Sequence, residues 1–78
     1  MEHQYKGYRM FITLTNATAE HKGKPIAIKK DLIVSVYSTV ATLEDGKKKT
    51  QTFVYAPPHG TWEVKEKVEE IVNQLNGV

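Results

Sequence analysis

The sequence predicts an α+β domain: an antiparallel sheet of four or five strands with one C-terminal helix packed on one face. Three observations carry that expectation. Val64, Val68, Ile71, Val72 and Leu75 recur at helical spacing and draw an apolar stripe, with Lys65, Glu66, Lys67, Glu69, Glu70 and Asn73 on the other side. The residues before them fall into short β-rich runs, the clearest being the alternation Met10-Phe11-Ile12-Thr13-Leu14-Thr15. Between the two longest runs stands Asp45-Gly46, a strong hairpin signal.

The totals set the bounds. With 78 residues the chain is a single domain. A chain of this length buries only about 60–65% of the surface its unfolded form exposes, so a monomer is marginal. No cysteine is present to staple it by disulfide or thiolate zinc, and oligomerisation is the expected remaining aid. No apolar run approaches the roughly 18 residues of a membrane span, and no signal-peptide layout is visible, so the cytoplasm is the expected compartment. Eleven basic and nine acidic side chains leave a net charge of +2, which gives no general field for nucleic acid.

Taken in order, residues 1–9 are polar and aperiodic and read as a flexible arm, with residues 10–78 as the α+β domain. In the first strand Met10, Ile12 and Leu14 face the core, and Thr13 and Thr15 face out. Residues 16–24 are small and polar, with Gly23 as a turn residue, and form a loop. Pro25-Ile26-Ala27-Ile28 is a short strand, its proline suited to a strand start or a sheet edge. Lys29-Lys30-Asp31 turns the chain into the long β-rich run from Leu32 to Leu43.

If Asp45 and Gly46 are the two turn residues of the hairpin, Val36 opposes Tyr55, Tyr37 opposes Val54, Ser38 opposes Phe53 and Thr39 opposes Thr52. That register puts Val34, Val36, Val40, Phe53 and Tyr55 on one face and Ile33, Tyr37 and Val54 on the other. Both faces are then apolar. The helix covers the first, and a partner subunit is expected on the second. Pro58 and Gly60 suit a type I turn, Thr61 to Val64 makes a last short strand, and Asn76-Gly77 ends the helix.

Three pieces, in order, resemble a known family. They are Ile12-Thr13-Leu14-Thr15; Gly23-Lys24-Pro25-Ile26 leading to Asp31-Leu32-Ile33 and Val36; and Gly60 followed by Val64-Lys65-Glu66 and Val68-Glu69-Glu70-Ile71. The order and spacing resemble the FlbD/SwrD-type small flagellar proteins and similar short phage and prophage proteins, over most of Met10 to Leu75. The resemblance implies a compact sheet with a C-terminal helix and implies no reaction. Two departures stand out. Tyr37 to Gln51 is an additional hairpin limb relative to the shortest members. Lys67 stands where such proteins often have serine, so a helix N-cap worth about 1 kcal/mol is lost.

The candidate chemistry is sparse. His3, His21 and His59 sit in an arm, a loop and a turn and supply no set of three or four converging ligands, so no metal site is expected. Ser35 and Ser38 lie within a strand with no nucleophile elbow, and no Gly-rich loop precedes a helix, so neither an enzyme nor a cofactor is expected. The densest binding chemistry is Pro58-His59-Gly60-Thr61-Trp62. Trp62 offers a stacking surface and His59 and Thr61 offer donors, against the plainer reading of a turn with a packed tryptophan. Lys47-Lys48-Lys49 is either a solvated shoulder that discourages edge pairing or a set of phosphate contacts.

The expected function is therefore a non-enzymatic binding module acting by stoichiometric protein contact, homo-oligomeric, in a setting that includes a phage protein aimed at a host component. The expected contact residues are Trp62, His59, Thr61, Tyr37, Lys47, Lys48 and Lys49. One alternative is an oligomer that holds a small anionic, nucleotide-like ligand, with Trp62 stacking and lysines near phosphates. A second is weak single-stranded nucleic-acid binding through Lys47 to Lys49 and exposed aromatics. The acidic helix, with Glu66, Glu69 and Glu70, argues against a duplex.

Overall fold

The computed structural model describes residues 10–77. The expected arm over residues 1–9 lies outside the described residues. The order of elements is β1 (Phe11–Thr15), β2 (Pro25–Lys29), a 3-10 turn (Lys30–Leu32), β3 (Ser35–Thr42), β4 (Lys48–Ala56), β5 (Gly60–Val64) and α1 (Val68–Leu75). The class is α+β, with antiparallel strands throughout and one C-terminal helix.

The five strands form two sheets rather than one, ordered β1-β2 and β3-β4-β5. The sheets meet where the end of β1 runs beside β5. Asn16 bridges Val64, Ala17 N–H donates to Glu63 O at 3.0 Å, and Lys65 N–H donates to Thr15 O at 2.8 Å. The pairing stops there for a local reason. Asn16 Oδ1 accepts from Thr18 N–H at 2.9 Å and from its hydroxyl at 2.6 Å, which bends the chain away from β5.

The core lies between the two sheets and the helix. Ile12, Leu14 and Ile28 come from the first sheet, Val54, Ala56 and Val64 from the second, and Ile71 from α1. Leu14, Val54 and Ile71 are fully enclosed. The helix touches β1 and β3, and so spans from one sheet to the other. The alternation read in β1 holds at Ile12 and Leu14, which are buried, but Met10 lies before the strand and is exposed.

The hairpin register differs from the expected one by one residue. Ser35 opposes Tyr55, Val36 opposes Val54, Tyr37 opposes Phe53 and Thr39 opposes Gln51. The cause is in the turn. A two-residue type I′ turn needs positive φ at both central residues, but Asp45 does not adopt it and only Gly46 does, at φ 84°. Gly46 N–H instead donates to Leu43 O at 2.9 Å, and Leu43 N–H donates to Lys47 O at 2.7 Å. This is a three-residue loop, a type I turn followed by a left-handed glycine. A slip of one residue exchanges the faces of a strand. Val36 and Val54 therefore share the inner face, while Tyr37, Phe53 and Tyr55 share the outer one.

The helix is shorter than its apolar stripe. Val64 belongs to β5, and Val72 is 39% exposed while Ile71 is fully buried. Lys67 is the N-cap residue, and its ammonium has no acceptor to offer the helix. Glu70 Oε1 accepts from Lys67 N–H at 3.1 Å, which is half of a capping box. A stronger anchor comes from across the molecule: the Glu66 carboxylate accepts from both Thr15 N–H and Thr15 Oγ1, each at 2.8 Å.

Candidate functional site

The outer face of the β3-β4-β5 sheet carries the chemistry that the fold leaves open. Its residues follow from the register. Tyr37, Phe53 and Glu63 form one row across the three strands, and Ser35, Tyr55 and Thr61 form the next. Tyr37 and Phe53 stack, with ring centroids 5.5 Å apart and an interplanar angle of 26°. Tyr37 is 42% exposed and Tyr55 40%. No described element covers this face, because α1 and the first sheet both pack on the inner side. Polar residues frame it: Gln51 Nε2 donates to Glu63 Oε2 at 3.4 Å, and Lys49 opposes Ala41 at the same face further along β4.

The expected contact residues fall into separate places. His59 and Trp62 come together in a pocket of about 400 Å³ with Phe11, Lys29 and Leu32. Trp62 opposes Val54, so it belongs to the inner face, and it packs half-buried against the edge of the core. Thr61 is exposed and shares a shallow hollow with Trp62 and the 18–21 loop. The turn before them runs from Ala56 to His59, with His59 N–H donating to Ala56 O at 3.1 Å across a cis Pro57–Pro58 bond. Proline at the third position makes it a type VI turn instead of the expected type I.

Tyr37 stands on the outer face, on the other side of the sheet from Trp62. Lys47, Lys48 and Lys49 are exposed at the far end of the hairpin. Trp62 lies level with Val54, five residues from Lys49 and so about 17 Å along the strand. Within one chain the tryptophan and the lysine run therefore do not line a common pocket.

Lys49 has other company. Together with Lys22 and Lys65 it lines a cleft of about 460 Å³ whose floor carries Thr15, Thr52 and Glu63. The sequence signal for this cleft was divided among three distant segments, and only the β1–β5 seam brings them together. Among the described residues no group of three or more His, Asp or Glu side chains is placed to hold a metal ion. No helix among them is long and apolar enough to cross a membrane. No family model, no curated protein and no solved structure matches the chain.

Proposed function

We propose that this chain is a non-enzymatic binding module that works by stoichiometric contact with protein, through the outer face of its three-stranded sheet. The observation that carries the reading is the uncovered Tyr37–Phe53 stack with Tyr55 beside it. Aromatic side chains bring large contact area at low entropic cost and are enriched at the centres of protein interfaces. Here they stand on a rigid sheet, with Gln51, Glu63 and Lys49 as a polar surround.

The test is affinity capture with the wild-type chain and a Tyr55→Ser variant, side by side. The reading predicts a polypeptide held in a fixed ratio by the wild type, retained in high salt and lost from the variant. Capture unchanged by Tyr55→Ser, or of nucleic acid that dissociates steeply between about 50 and 200 mM salt, would contradict it.

A second reading is favoured by the lysine cleft. Lys22, Lys49 and Lys65 around one hollow suit a small anionic, nucleotide-like ligand, with Glu63 opposing part of their field. It predicts a thermal shift with such ligands that a Lys22→Gln, Lys65→Gln double variant abolishes.

A further inference from the structure

We infer that the free edge of β3 pairs with the same edge of a second copy of this chain, antiparallel and about a two-fold axis at Val40, to make one six-stranded sheet. Among the described residues β3 bonds to β4 on one side and to no strand on the other. From Leu32 to Leu43 the chain has no charged residue, no proline and no glycine. Natural edge strands of this length are normally protected by lysine, proline, a bulge or a cover, because a bare edge is a template for another strand. β3 carries no lysine, proline or glycine, and among the described residues the one element besides β4 that approaches it closely is the helix, at Ser38.

The direction of the free groups follows from the hairpin. Leu43 N–H donates to Lys47 O, and antiparallel bonding alternates. Tyr37, Thr39 and Ala41 thus bond to β4, and Ser38, Val40 and Thr42 direct their N–H and C=O groups to the open edge. A two-fold axis at Val40 joins these groups to each other in pairs: Val40 with Val40, and Ser38 with Thr42.

The side chains select a second copy as occupant. The same axis sets Tyr37 of one copy beside Leu43 of the other on the outer face, and the two Val40 side chains together on the inner face. These three are 42%, 44% and 64% exposed in the single chain. Pairing covers every large exposed apolar side chain from Tyr37 to Leu43 with another, and brings no like charges together. It also falls on the distal half of β3. The helix start meets β3 at the near end of the seam, where Ser38 lines a hollow on the inner face with Thr50, Val68 and Glu69, while the N–H and C=O of Ser38 lie in the plane of the sheet, toward the open edge.

This inference rests on the reading of the sheet as the working surface, and it extends that surface into a continuous double platform. It fails separately, because Tyr55 lies on β4 away from the seam. The chain has no cysteine, so a single introduced thiol reports the geometry. A bonded antiparallel pair has a Cα separation of about 5.5 Å, within disulfide range. Under mild oxidation Val40→Cys should cross-link into a covalent dimer. Thr50→Cys, opposite Val40 but one strand inward, should form no covalent cross-link, its two thiols about 14 Å apart across three strand spacings of the paired sheet. Val40→Lys should sediment as a monomer with an unchanged circular dichroism spectrum, while the wild type sediments as a dimer. A wild type that is monomeric at about 100 µM, a concentration that populates any dimer of micromolar affinity, would overturn the inference. So would a Val40→Cys protein that cross-links no faster than Thr50→Cys.

Discussion

Thr15 and Glu66 tie the first strand to the start of the helix through two bonds to one carboxylate. The acceptor is charged, and such bonds contribute more than neutral ones. Glu66→Ala is expected to lower stability by about 2 kcal/mol, which for a domain of this size is about 10 °C in Tm. Glu66→Gln, which keeps one acceptor oxygen, should lose less; thermal denaturation of the two variants checks the order. The loss of a side-chain cap at Lys67 was legible in the sequence, since lysine has no acceptor. Its replacement was not, because Thr15 lies 51 residues away and no local pattern connects them. Gly46 is a second position where one residue sets the structure. At φ 84° an added Cβ is disfavoured by about 1–2 kcal/mol, so Gly46→Ala should lower the denaturation midpoint without changing the denaturant slope.

Elements were easier to read than their partners. The alternation of Ile12 and Leu14 gave β1, the helical spacing gave α1, and Asp45-Gly46 gave the hairpin. The register was missed because Asp-Gly is compatible with two loop lengths, and the choice between them is made by the φ of one aspartate. That choice moved Tyr37, Phe53 and Tyr55 onto one open face, so the site was only partly visible beforehand. The stripe of α1 was read one residue too wide for a similar reason: periodicity marks a side but not how far the core reaches around it. Ile71→Ala should destabilise by about 3 kcal/mol, as expected for truncating an enclosed side chain. Val72→Ala, on the same stripe but 39% exposed, should cost well under about 1 kcal/mol. Urea denaturation of both variants measures where the core ends.

At the scale of the molecule, the two sheets and the helix close around seven buried apolar side chains among the described residues, and what remains open includes the outer face of the three-stranded sheet and the edge of β3. The distal hairpin is held by its own two strands alone, since β5 reaches only as far as Thr52 on β4. A two-stranded ribbon of this kind is marginal in water, and a third strand from a second copy would steady it. The two-sheet arrangement was hidden from the sequence because the pairing of β1 with β5 ends where Asn16 turns its side chain onto Thr18, a detail no periodicity records. The lysine cleft was hidden because Lys22, Lys49 and Lys65 come from three distant segments.

Amide hydrogen exchange, followed residue by residue in dilute and in concentrated solution, tests the open sheet edge most directly. The amides of Thr39 and Ala41 bond to β4 and should be protected at both concentrations, while those of Ser38, Val40 and Thr42 should exchange fast when dilute and slow when concentrated. Fast exchange at Ser38, Val40 and Thr42 at every concentration would contradict the pairing of this edge.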